Sequence, residues 1–418
     1  MTSRPSSRVL RPLRPASVLV LVLVLVLGGC WGGGSGDGDG GGSGSVGAAP
    51  APYRLDQTCP DPPAGRGTSV AELNGYLAAA DLPGWQAGDI GASARLADGR
   101  LVWVFGDTVR TDAYAPRIVA NSMVVTSGFC AAQVMPADDG AVVPDVRAAD
   151  SAGSVAGEVV HWPMSVVALE PHGSYADRGL TDVLVVLTAR TERGDAADGV
   201  YSFTFLGTSA AVFTVGADGV PTLAEVVEVT PDDPALDQVN WGAAATVAGD
   251  WFQVYGTRQV EGELGRELYA ARAPVDDPRD RTRWEFWDGA SWQADIDAAT
   301  AVLPARGGVS QTLSVDAVGA GGSGGGFVAV SKQDGDLGDF ATVWTAPSAE
   351  GPWTPGDRVP APSGVGTGDL QYAPLAHPEV PLANGRLLVS VSRNTTDLAR
   401  LLADPEVGRP VFTEISLP

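Results

Sequence analysis

Cationic side chains are scarce in this chain. Its 418 residues hold one lysine, Lys332, and 27 Lys plus Arg stand against 50 Asp plus Glu, a formal net charge of −23. No basic stripe exists that could neutralise phosphates, so duplex DNA or RNA is not an expected partner. Histidine is as rare, and His161, His172 and His377 lie far apart in sequence. The three cysteines, Cys30, Cys59 and Cys130, show no zinc-type spacing with them. Gly-x-Ser-x-Gly and Gly-x-Gly-x-x-Gly spacings occur only inside Gly-rich stretches, not between a strand and a helix as an elbow or dinucleotide fingerprint requires, and a phosphate loop is missing, so neither a cofactor nor a metal is expected. What the chain has in excess is turn formers: 54 Gly and 31 Pro, about one residue in five. That content excludes a coiled coil or long-helix bundle and points to short strands joined by turns.

The first thirty residues carry processing information. Arg4, Arg8, Arg11 and Arg14 precede an apolar run from Val18 to Leu27. That run is about half the length needed to span a bilayer. It ends in Leu27-Gly28-Gly29-Cys30, which resembles a bacterial lipobox, the signal at which the peptide before Cys is removed and the Cys is lipidated. Residues 1–29 are therefore expected to be a lipoprotein signal peptide and Cys30 the lipidated residue; a plain signal peptide with an incidental Cys is the alternative. Removing residues 1–29 takes away four arginines and no acid, leaving 23 basic against 50 acidic residues, or −27. Residues 31–52 are mostly Gly, Ser, Ala and Asp and lack apolar periodicity. Segment 30–52 thus reads as a lipid-anchored flexible tether, with a reach on the order of 25 Å. The expected location is extracytoplasmic, on the outer face of the plasma membrane. With Cys30 lipidated, Cys59 and Cys130 remain as an even pair in an oxidising compartment. A bridge between them would stabilise by about 4 kcal/mol in the chain-entropy picture; two buried thiols are the alternative.

Residues 53–418 are long for one sandwich, and a local pattern recurs within them. A segment of small and apolar residues is followed by a Gly- or Asp-containing turn and an alternating apolar strand. It appears at Gly91–Asp107, Pro163–Arg190, Trp241–Arg258, Ser310–Lys332 and Ala373–Asn394. Five copies predict an all-β, five-bladed β-propeller over 53–418. Two packed sandwiches would need a linker that is absent, and a β-helix would need a shorter, more regular repeat. One helix is expected before the first blade, at Ser69–Ala80. There Ser69-x-x-Glu72 forms a capping box and Leu73, Tyr76 and Leu77 make an apolar stripe.

Asp89 and Asp107 lie on the two arms of the first hairpin, turned at Ala97-Asp98-Gly99. A three-residue turn pairs Leu96 with Arg100, so paired residue numbers sum to 196, as do 89 and 107. The two carboxylates would then face each other about 5 Å apart at Cβ, raising the pKa of one and separating an acid from a base. A two-residue turn would put them on opposite faces. The plainer reading is that both cap backbone donors at strand ends.

At these residues the chain resembles a known family. Trp85, Gly88-Asp89-Ile90-Gly91-Ala92-Ser93, Leu96-Ala97-Asp98-Gly99-Arg100 and Trp103-Val104-Phe105-Gly106-Asp107-Thr108 look like its signature. So do Asn121-Ser122, Trp162-Pro163, Asn240-Trp241-Gly242-Ala243, Trp284–Trp292, Gly351-Pro352-Trp353, His377-Pro378-Glu379 and Leu388–Asn394. The family is a bacterial five-bladed propeller family, long filed as a domain of unknown function, that includes endo-D-arabinofuranases. The resemblance covers roughly residues 82–418. It implies a glycoside hydrolase acting on arabinofuranose polymers of a cell envelope, with Asp89 and Asp107 as catalytic pair.

Other polar residues fall at equivalent places in the repeat. Asn121, Asn240, Arg258, Gln311, Lys332, His377 and Arg393 are candidates to bind sugar hydroxyls, with Trp162 and Trp241 as stacking platforms. Asp334–Asp339 reads as a solvated turn, since a calcium loop would need a longer ligand pattern. The expected partners are an envelope polysaccharide and, through Cys30, the membrane; the protein is expected to be a monomer. A non-catalytic carbohydrate- or protein-binding propeller is the alternative function.

Overall fold

The computed structural model describes residues 53–62, 67–147, 158–176, 178–193, 203–235, 237–318 and 325–417. The signal peptide, Cys30 and the tether lie outside them. Five antiparallel sheets follow one another along the chain. Their innermost strands are Ala87–Arg95, Glu158–Leu169, Asn240–Ala248, Ser314–Val318 and Asp369–Ala376, and each touches the next to close a ring around the axis. This is a five-bladed β-propeller, as the repeat predicted. Each recurring sequence segment falls on the first two strands of one blade. Those strands are small-residue-rich and apolar because they are covered on both faces by the neighbouring blades.

The core lies between blades. Val104, Met123, Val186 and Phe213 fill the space between blades 1 and 2. Trp241, Tyr269 and Phe286 pack between blades 2 and 3, and Tyr255, Trp344 and Trp353 between blades 3 and 4. Val330, Val343 and Val389 join blade 4 to blade 5. The ring is closed between blades 5 and 1 largely by polar bonds. Ile90 N–H donates to Ser392 Oγ at 2.9 Å, Ser93 Oγ meets His377 Nδ1 at 2.5 Å, and Arg409 donates to the Gln86 carbonyl at 2.8 Å.

Helix α1 spans Val70–Ala79 with Ser69 as N-cap, and the capping box forms as expected. Blade 5 has only three strands, and α1 lies against its outer edge. The Asn74 side chain takes the place of a strand partner. Its amide donates to the Phe412 carbonyl and its oxygen accepts from Phe412 N–H, both at 2.8 Å. Arg409 donates to the carbonyls of Leu77, Ala78 and Ala80 at the helix end, where intrahelical donors run out. A second helix, α2 at Leu398–Ala403, was not expected; it is capped by Asp397 and buries Leu401 against Ala87 and Val109. A disulfide joins Cys59, in the segment before α1, to Cys130 on an outer strand of blade 1. No helix among the described residues is long and apolar enough to cross a membrane.

Candidate active site

The first hairpin turns as the three-residue loop requires. Leu96 N–H donates to the Arg100 carbonyl at 2.8 Å, and Gly99 has φ of +88°. Pairs from Arg95↔Leu101 to Ala92↔Val104 follow the register expected from the turn. The ladder then breaks at a bulge, where Ile90 pairs with Phe105 and Gly91 is left over, before Gly88↔Thr108 restores the original register. Asp89 and Asp107 sit inside this irregular stretch, so they are not a simple ladder pair. The bulge turns both carboxylates toward one cavity at the axis, which Trp162, Gln311, Asp336 and Tyr372 also line. Gly106 is required there, because a Cβ on it would meet Asp89 Oδ1 at 2.3 Å.

Backbone strain collects around this cavity. Four described non-glycine residues have positive φ, and two of them, Ile90 at +66° and Ala373 at +42°, directly follow Asp89 and Tyr372. For a β-branched residue such as Ile90 that conformation is an outlier, costing on the order of 1–3 kcal/mol. Such strain persists where the surrounding structure fixes it, and here it aims two side chains at each other. The Tyr372 hydroxyl donates to Asp89 Oδ2 at 2.8 Å, and Asn394 Nδ2 donates to the Tyr372 oxygen at 3.3 Å.

The two carboxylates have different surroundings. Burial, and then the nearby charge of Asp107, push Asp89 up to about 7, against the Tyr372 bond and a backbone N–H that favour its anion. Asp107 is pushed by burial to about 6, a smaller rise because Arg193 and Trp162 oppose it. The Arg193 guanidinium lies 2.7 Å from Asp107 Oδ1, and Trp162 Nε1 donates to the same oxygen at 3.2 Å. The cavity between these groups holds about 60 Å³. That is room for a few waters, far below the roughly 300–1,000 Å³ that buries a small-molecule ligand. A larger cavity of about 700 Å³ lies under α1 on the flank of blade 1, lined by Tyr76, Trp85, Trp103 and Phe412 among others. It is apolar and contains neither aspartate.

Of the expected sugar-binding residues, Trp162 and Gln311 line the axial cavity. Lys332 is fully buried behind it, with Nζ 3.5 Å from the Asp336 carbonyl. The other expectations are corrected. Asn121 is fully buried and spends its amide on the backbone of Val143 and His161. Asn240 is buried at the start of its strand and outside the cavity lining. Trp241 is enclosed by Tyr269 and Phe286, a core residue and not a stacking platform. Arg258 pairs with Glu267 at 2.7 Å over the ring of Tyr269 and is not part of the cavity lining. His377 is fully buried between Ser93 and Ser390 against Trp103. Arg393 gives its guanidinium to the carbonyls of Arg409 and Glu406. Asn121 and Arg393 thus satisfy backbone groups, while Arg258 and His377 are held by the side chains of Glu267, Ser93 and Ser390.

Three site residues escaped the sequence reading. Arg193 and Tyr372 are an ordinary Arg and Tyr until the fold brings them to the two aspartates. Asp336 was placed in a solvated turn; the structure lines the cavity with it. Its only sequence signal was the pair of glycines, Gly335 and Gly338, around it. Among the described residues no cluster of three His, Cys, Asp or Glu is arranged to hold a metal.

Five blades around an axis, with acidic side chains gathered at one point of the channel, define the class of a five-bladed β-propeller with an axial acidic site. The chain belongs to the family described as a domain of unknown function, DUF5005, whose family model matches residues 71–416. No curated protein matches it. Among solved structures, it is similar to a proposed hydrolase from Bacteroides ovatus, with a TM-score of 0.55 and 14% identity over 87% of this chain and 93% of that one. An endo-arabinase from Bacteroides thetaiotaomicron aligns with a TM-score of 0.37 and 11% identity, covering 76% of this chain and 90% of that one. An α-L-arabinofuranosidase from Podospora anserina gives 0.43 and 11%, covering 81% and 94%. At these identities the likeness is one of fold.

Proposed function

We propose that this protein is a glycoside hydrolase that cleaves arabinofuranose-type polysaccharide of a cell envelope, with Asp89 and Asp107 as its catalytic pair. The observation that carries this reading is that two carboxylates in one cavity have unequal partners. Asp89, pushed up to about 7, keeps a proton near neutrality and gives it to the leaving glycosidic oxygen. Asp107, bound to Arg193 and Trp162, stays ionised and acts either as nucleophile or as base on water, beside an oxocarbenium-like transition state. Turnover then needs Asp89 protonated and Asp107 ionised, which gives a bell-shaped profile with limbs near 6 and 7. The fold shared with the Bacteroides ovatus hydrolase and the sequence resemblance to endo-D-arabinofuranases support the same class. Lipidation at Cys30, after a signal peptide at 1–29, would hold the enzyme at the membrane surface within reach of its polymer.

The test is product analysis after incubating the purified protein with arabinogalactan, beside Asp89→Asn and Asp107→Asn. Oligosaccharide release by the parent should fall about 10²–10⁴-fold in either variant. No release from arabinogalactan or other furanosides would leave a binding propeller.

A further inference from the structure

The turn between the second and third strands of blade 4, residues 333–339, folds inward. Gln333 N–H donates to the Phe340 carbonyl at 3.1 Å, and Asp334 N–H to the Gly308 carbonyl at 2.9 Å. Asp334 Oδ1 accepts from Gly307 N–H at 3.1 Å. Asp334 and Gly335 both have positive φ, +63° and +79°. A Cβ on Gly335 would meet the Leu264 carbonyl oxygen at 2.1 Å, so the turn rests on blade 3 through a contact that admits no side chain. This is what carries Asp336 to the cavity that Asp89 and Asp107 line. Blades 1 and 4 are not neighbours in a ring of five, so Asp336 approaches from the wall facing the pair.

Behind that wall lie cationic and N–H groups that face Asp336. Burial raises its pKa, while Arg266, the Gln311 backbone N–H and Lys332 pull it back down. Arg266 also donates to Gln311 Oε1 at 3.4 Å. The chain's single lysine is fully buried and sits directly under this turn. Beyond the Gln311 N–H and its own backbone N–H, the carboxyl of Asp336 lines the cavity with oxygens that can accept from a ligand.

We infer that Asp336 is a third carboxylate of this site, accepting hydrogen bonds from sugar hydroxyls on the wall facing Asp89 and Asp107. The inference rests on the glycan-cleaving reading above and adds a substrate contact to it.

The experiment measures binding of arabinofuranose oligosaccharides by calorimetry in the Asp89→Asn background, with and without Asp336→Asn, and kinetics of Asp336→Asn alone. Asn keeps an acceptor for the Gln311 N–H; Asp336→Ser serves if the first variant does not reach the parent's unfolding midpoint. Loss of Asp336 should weaken binding about tenfold or more and raise KM by a similar factor, with kcat changed far less. Unchanged Kd and KM would overturn the inference, and so would a collapse of kcat at unchanged Kd. Hydrolysis by the parent with binding indifferent to Asp336 would leave the hydrolase reading standing alone. Binding that depends on Asp336 without any hydrolysis would do the reverse, and no binding by any variant would overturn both.

Discussion

A buried carboxylate with a raised pKa is a cost to folding, and Asp89 allows that cost to be measured without knowing the substrate. Its folded-state value of about 7 lies above the ordinary 3.8, so the native state binds the proton more tightly than the unfolded chain does. Stability therefore rises as pH falls from about 7 toward 4, and the penalty is fully present above 7. Moving from 3.8 to about 7 corresponds to about 4 kcal/mol, an upper bound because part of it is repulsion from Asp107. Asp89→Asn removes the charge and keeps an oxygen for the Tyr372 hydroxyl. The variant should be more stable than the parent at pH 8, by up to about 4 kcal/mol, and the gain should shrink toward zero near pH 4. Denaturant titration of both proteins at pH 8 and pH 4 reads this directly through the midpoints. If Asp89→Asn is equally or less stable at pH 8, the carboxylate is solvated in the native protein, and the acid role assigned to it loses its basis.

Two further outcomes follow from the same geometry. Tyr372→Phe removes a hydrogen bond that favours the Asp89 anion, so the alkaline limb of the rate profile should move up by about one unit; an unmoved limb would show that the profile reports another group. Replacing Cys59 and Cys130 together by Ala opens a 71-residue loop and should cost about 2–5 kcal/mol, with activity retained at low temperature. Loss of activity in the fully folded double variant would mean that the segment before α1 shapes the axial site.

How much of this was legible beforehand depends on the range of the interactions involved. The Ser69–Glu72 capping box and the turn at Ala97-Asp98-Gly99 are local, and both formed as read. The hairpin register was right on both sides of the bulge, but the bulge itself was not foreseen. Its signal was Gly91 inside the strand pattern, a residue type that marks a bulge without fixing where the ladder breaks. The sugar-binding candidates failed for a different reason. Equivalent positions in a repeat share a backbone environment, not a direction of exposure; backbone carbonyls took the side chains of Asn121 and Arg393, and the Ser93 and Ser390 hydroxyls took that of His377.

By itself the sequence determined an all-β chain of five similar segments, the helix cap, the first turn and the two aspartates on its arms, because alternation and turn chemistry act between near neighbours. Only the tertiary structure decided what those aspartates are. Arg193 comes from blade 2, Tyr372 from blade 5 and Asp336 from blade 4. Closure of the ring brings these distant residues to the axis, where burial and neighbouring charge give two identical carboxyls unequal surroundings.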